Sequence, residues 1–184
     1  MKLRYFAVLF FISLWLNLFS NISYKELTEG YIPQDSLGYQ VDELFKLNGK
    51  SYDLRSQISR HPHSLLIHIS PYICGGMENL DYEFLNEMAN KYPEQIYIVL
   101  SDFDHDYTKK AVKNSLLSKN IRILTDKEEK VFKRYKDIDK GLKAQAYFML
   151  DNQGTVKYIV FQSRVSMDKF KDDSTKEYIE KLLK

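Results

Sequence analysis

A single cysteine occurs in the 184-residue chain, and the residue types around it suit thiol chemistry. Cys74 lies in SPYICGGMEN (residues 70–79), after an apolar run of strand length and before a stretch with helical spacing. Met77, Leu80, Phe84, Leu85 and Met88 recur at that spacing, which predicts a helix beginning near Met77 with Cys74 at its N-terminal end. Unpaired amides and the positive end of the helix dipole favour the thiolate there, and the thiolate is the nucleophile. Gly75 and Gly76 leave room for the backbone of a partner chain, and Tyr72 is the aromatic residue placed to touch it. The bland account is a small, partly buried cysteine in a site that no longer works. The residues alone leave both accounts open.

Other polar clusters carry less. Ser101-Asp102-Phe103-Asp104-His105-Asp106 alternates carboxylates like the start of a calcium loop. Counted from Asp102, Tyr107 stands at the sixth position, where glycine is needed, and Lys113 at the twelfth, where Glu would bind. A loop capping the next helix is expected, and no metal. His61 and His63 flank Pro62 and read as a solvated loop. His68 sits inside an apolar run, as a satisfied core histidine or as a neighbour of Cys74, because ligands gather at the carboxyl ends of parallel strands. No cofactor is expected.

These residues need a scaffold, and the pattern supplies one. Asn48-Gly49 between two short runs in VDELFKLNGKSYDL is a hairpin signal. SLLIHIS (64–70) and QIYIVLSD (95–102) are continuous apolar runs that suit strands buried on both faces. Helices are predicted over 107–118 and 127–137, with a short strand over 121–126 between them. AQAYFML (144–150), the turn Asp151-Asn152-Gln153-Gly154 and TVKYIVF (155–161) form a second hairpin. STKEYIEKLLK (174–184) closes the chain as an amphipathic helix with Ser174 as N-cap. Strands alternating with helices predict an α/β fold, a central sheet flanked by helices and made mixed by the final hairpin.

In that order and spacing the chain resembles the thioredoxin superfamily, in particular its exported TlpA-like and AhpC/TSA-like branch. DELFKLNGKSYDL is similar to the family's opening hairpin, and SLLIHISPYICGGMENLDYEFLNEMANKY to its core strand, active-site turn and first long helix. IRILTDKEEKVFKRYKD resembles the strand and helix before the substrate loop, and AYFMLDNQGTVKYIVF the closing hairpin. The resemblance spans about Val41 to Lys184 and implies a thioredoxin-like fold with an N-terminal β-hairpin extension. It also implies that Cys74 is the nucleophile of a Cys-x-x-Cys site whose resolving position holds Met77. A thioether cannot attack a mixed disulfide, so the two-thiol cycle cannot close within this chain. Gln145 takes the cis-proline position, and a trans bond is expected there because cis before a non-proline residue costs about 3 kcal/mol. Gln145 and Pro71 also replace the Arg and Thr of peroxiredoxins, so peroxidase chemistry is not expected. Two functions remain: a monothiol redox protein acting on protein or low-molecular-weight thiols and disulfides, or a catalytically inactive binding module.

Composition narrows the setting. Lys2 and Arg4 account for the net charge of +2, and the remainder is balanced, which argues against nucleic acid as a partner. Those two cations precede an apolar run from Tyr5 to Phe19, the layout of a signal peptide and shorter than a comfortable membrane span. Residues 1–23 are therefore expected to be a signal peptide or an uncleaved anchor, 24–40 an N-terminal arm, and 41–184 the domain. Export to the periplasm or the extracytoplasmic face of the membrane follows, with membrane contact only through the N-terminal segment if it is retained.

Overall fold

The computed structural model describes residues 41, 43–69, 77, 80–101, 106–127, 129–131, 143–163 and 173–184. The expected leader (1–23) and arm (24–40), the segment with Tyr72, Cys74, Gly75 and Gly76, the acidic residues 102–105 and most of the predicted helix 127–137 lie outside them.

The first hairpin pairs β1 (Leu44–Lys46) with β2 (Ser51–Tyr52), and Leu44 faces Tyr52. Gly49 closes its turn at φ +81°, donating its N–H to the Lys46 carbonyl at 2.8 Å. That left-handed position is one that glycine adopts without steric cost. A five-residue helix, α1 (Leu54–Ile58), follows, with Asp53 as its cap accepting from the Ser56 amide. The chain then runs through β3 (His63–Ile69), α2 (Tyr82–Lys91), β4 (Ile96–Leu100), α3 (Asp106–Asn114) and β5 (Arg122–Thr125). It ends with β6 (Lys143–Asp151), β7 (Val156–Ser163) and α4 (Asp173–Leu183).

These strands make one seven-stranded sheet in the order β2-β1-β5-β4-β3-β6-β7. β3, β4 and β5 are parallel, while β1 on one side and β6–β7 on the other are antiparallel to their neighbours. The opening hairpin is therefore joined to the sheet through β1 and β5. β3 is central, as its continuous apolar run predicts, because both faces of such a strand must be covered.

Alternation along the strands builds two cores. Leu66, Tyr97, Val99, Leu124 and Phe148 point to one face and are covered by Leu54 and Ile58 of α1. Leu65, Ile67, Ile98, Leu100 and Met149 point to the other, under α2 (Phe84, Leu85, Met88) and α4 (Ile179, Leu183). Each such side chain contributes roughly 1.5–3 kcal/mol by leaving water.

Three expectations are corrected here. The helix after the cysteine segment starts at Tyr82, not near Met77, because Asp81 is its N-cap and accepts from the Phe84 amide at 3.0 Å. Met77 instead opens a turn, its carbonyl accepting from Leu80 N at 3.2 Å and from the Tyr82 hydroxyl at 2.8 Å. Ser174 lies inside α4 and does not cap it. His63 opens β3 and so is a strand residue.

Asp81 also meets Lys176 of α4 at 2.9 Å. Asp81→Ala should lower stability by about 1–2 kcal/mol through loss of the cap. Lys176→Ala removes the partly exposed ion pair and the contact of Lys176 Nζ with the Phe84 ring, 5.6 Å from its centroid, but leaves the cap, and should cost less. Urea unfolding of the two variants checks the order; equal losses would mean that the cap contributes nothing.

Candidate functional site

β3 carries the chain from the middle of the sheet to Ile69, and the segment holding Tyr72, Cys74, Gly75 and Gly76 begins one residue later. The described residues give the surroundings of that strand end. Gln145 of β6 lies opposite Ile69 and, on its other side, opposite Gln162 of β7. Its side chain is fully buried, and Oε1 accepts from the Tyr147 hydroxyl at 3.2 Å. Burial first, and the nearby Asp81 charge second, push the Tyr147 pKa upward, so this phenol keeps its proton. No cis peptide bond occurs among the described residues, and the bond before Gln145 is trans.

Met77, at 4% exposure, packs into the core cluster under α2 and α4, together with Leu80 and Phe84. The residue at the resolving-thiol position is thus a core side chain. On this face of the sheet the structure brings Met77, Asp81, Tyr82, Gln145 and Tyr147 into one neighbourhood.

The other face carries a buried polar cluster. His68 is wholly buried between β4 and β6, opposite Val99 and Ala146. Its Nε2 is 2.6 Å from Ser101 Oγ, donating or accepting according to the tautomer, and 3.8 Å from Asp126 Oδ2. Burial lowers the imidazole pKa to about 3. The Asp126 carboxylate acts in the opposite direction, but at 3.8 Å it lies beyond direct hydrogen-bond contact, so desolvation prevails. Asp126 is itself buried and accepts the Lys130 amide at 2.8 Å.

Ser, His and Asp together invite a hydrolase reading, which the geometry rejects. In a working triad the carboxylate holds the ring nitrogen that does not face the hydroxyl. Here Ser101 and Asp126 approach the same nitrogen, so the carboxylate cannot orient the ring as a base for Ser101. The cluster ties together the carboxyl ends of β3, β4 and β5.

Asp126 and Asp81 were not singled out by sequence reasoning, and Ser101 was named only as the start of the acidic run, not as a partner of His68. For Asp126 a signal was present: an Asp followed three residues later by Glu129, ahead of a helical turn at Lys130 and Val131, is a capping pattern. Among the remaining histidines, His61 has its Nε2 buried without a hydrogen-bond partner among the described residues. Among those residues no group of three or more His, Cys, Asp or Glu is arranged to hold a metal ion.

No family model matches the chain, and no curated protein matches it. Solved structures do match. The thioredoxin domain of a thiol-disulfide oxidoreductase from Bacteroides vulgatus is 15% identical with a TM-score of 0.55, covering 84% of this chain and 100% of that one. A thiol:disulfide interchange protein from a Bacteroides species is 15% identical with a TM-score of 0.52, covering 80% and 88%. StoA from Bacillus subtilis is 10% identical with a TM-score of 0.52, covering 81% and 99%. The mixed seven-stranded sheet with helices on its faces, together with these likenesses, establishes that the chain has a thioredoxin-like fold.

Proposed function

We propose that this chain is an exported thiol–disulfide exchange protein that works through the single thiol of Cys74. What supports the reading is the position of the cysteine in the sequence: Cys74 follows five residues after Ile69, the carboxyl end of the central strand β3, and α/β folds gather their binding crevices at such strand ends. The solved structures named above include proteins that do thiol–disulfide chemistry on this fold.

The cycle needs a partner thiol. The Cys74 thiolate attacks one sulfur of a disulfide in a protein or a small thiol compound, forming a mixed disulfide and releasing the other sulfur as a thiolate. A second, external thiol then attacks the mixed disulfide, restoring Cys74 and forming a new disulfide on the substrate side. Tyr72, Gly75 and Gly76 contact the substrate in this reading, and Met77 and Gln145 flank the site from the sheet side. Activation by the helix terminus is not part of it, since α2 begins at Tyr82. Export is read from residues 1–23, as a leader or an anchor, with 24–40 as the arm and 41–184 as the domain. Among the described residues no helix is long and apolar enough to cross a membrane.

Incubating the mature protein with glutathione disulfide tests the reading. Mass spectrometry should show one glutathione on Cys74, added faster to the native than to the urea-unfolded chain, removed by added thiol, and absent from Cys74→Ser. If native Cys74 reacts no faster than the unfolded control at pH 7, the exchange reading fails and a non-catalytic binding module stands in its place.

A further inference from the structure

We propose that the cleft between the opening hairpin and the start of β5 binds a small organic anion with a flat apolar body. The cleft has a volume of about 580 Å³ and is lined by Lys46, Leu47, Tyr52, Gln57 and residues 121–124. That volume falls in the range of small-molecule sites, roughly 300–1,000 Å³. Its walls divide by chemistry: Leu47, Ile121, Ile123 and Leu124 supply apolar surface, Tyr52 an aromatic ring and Gln57 an amide.

The charge on the lining has one sign. Lys46 and Arg122 are its ionised side chains, and both are exposed. Lys46 Nζ stands 5.9 Å from the centroid of the Tyr52 ring and has no carboxylate partner among the described residues. Arg122 meets Glu94 only at 3.8 Å, with both side chains half exposed, so its guanidinium retains donors for a ligand. The acids nearest this region do not line the cleft. Asp53 caps α1, and Glu94, whose backbone carbonyl accepts the Tyr97 hydroxyl at 2.7 Å, has a half-exposed carboxylate that is not among the lining residues. The aromatic wall is fixed, because Tyr52 packs on Tyr97 with ring centroids 6.4 Å apart. A carboxylate or sulfonate can therefore lie between the two cations while a ring covers the apolar floor.

This site is separate from the thiol. Arg122 is the first residue of β5, so the cleft opens at the amino end of the parallel strands, and the cysteine segment leaves β3 at the carboxyl end.

The test uses 8-anilinonaphthalene-1-sulfonate, an aromatic monoanion that fluoresces on leaving water, with the folded full-length chain. Saturable one-to-one binding is expected. Lys46→Gln and Arg122→Gln should each weaken it by about fivefold, the order expected for a charge-assisted contact at an exposed site. Added salt should weaken it as well. The uncharged analogue N-phenyl-1-naphthylamine should bind much more weakly, and Cys74→Ser should bind like the wild type. Absence of saturable binding, equal affinity for the uncharged analogue, unchanged affinity in both glutamine variants, or loss of binding in Cys74→Ser would each overturn the proposal. None of these results bears on the glutathione reaction of Cys74.

Discussion

Acidification from pH 6.5 to 4.5 is expected to remove about 2 kcal/mol of folding stability, and His68→Asn is expected to flatten that dependence. In the folded chain the His68 pKa is lowered to about 3 by burial, whereas the unfolded chain titrates near 6.5. Between those values the unfolded state holds a proton that the folded state refuses, so stability falls as the pH falls. One such proton corresponds to a loss on the order of 1 kcal/mol per pH unit. The contribution is fully present above pH 6.5 and fully lost below about pH 3. Asp126, 3.8 Å from the same nitrogen, would attract an imidazolium and so reduces the slope without reversing it. Comparison with His68→Asn over the same interval separates this effect from the carboxylates, which both proteins share. Asp151 among them is pushed upward by its burial, but the Thr155 and Gln153 amides and Lys157 together outweigh this and hold its pKa below the usual value.

The variant should be weaker at pH 7, because an asparagine fills less of the space between β4 and β6. Its urea midpoint should nevertheless move less than the wild-type midpoint between pH 6.5 and 4.5. Equal shifts in the two proteins would show that His68 is not the group being protonated. An upward shift of wild-type stability on acidification would mean that Asp126 dominates and that the imidazole is charged in the fold.

The elements that sequence rendered faithfully are those whose burial leaves a local mark. β3 and β4 are apolar without interruption because parallel central strands are covered on both faces. The two hairpins carry glycines, Gly49 and Gly154, that sit at φ +81° and +80°, and this turn chemistry is visible at the level of a dipeptide. The start of α2 was misread for an equally local reason. Met77 and Leu80 are buried with Phe84 and continue its spacing, so periodicity runs straight through the cap at Asp81. A turn that buries its apolar residues imitates a helix in this respect. α1, at five residues, is too short for periodicity to register at all.

The candidate site divides in the same way. Gln145 could be placed at the carboxyl end of β3 from the order of the motifs, since it lies a fixed distance before the hairpin turn at Asp151. The contact of His68 with Ser101 and its approach to Asp126 could not. It depends on β3, β4 and β5 lying side by side in that order with their carboxyl ends level, which no local pattern encodes. His68 could be placed in a buried strand from its neighbours, yet its partners lie 33 and 58 residues away in the chain.

Met77→Cys has a double expected effect: a loss of about 2 kcal/mol in the reduced protein, and the gain of an intramolecular disulfide with reductase activity. The loss follows from packing. Met77 fills space in the core under α2 and α4, and a cysteine leaves part of it empty. The gain follows from accessibility and spacing. At a position with 4% exposure the introduced thiol is shielded from external thiols, so its natural partner is Cys74, three residues earlier. A disulfide requires a Cα separation of about 4.4–6.8 Å between the two positions, and its formation tests whether residues 74 and 77 meet that spacing. Glutathione disulfide would take up two electrons and two protons from the pair, leaving reduced glutathione and the new bridge. Such a pair resolves its own mixed disulfides, which the wild-type chain cannot do with one thiol. Alkylation followed by mass spectrometry under non-reducing conditions should find no free thiol after mild oxidation, and insulin reduction should rise above the wild-type rate. Two alkylated thiols in the oxidised sample would show that position 77 does not face Cys74, and the assignment of Cys74 to the nucleophile position would fall with it.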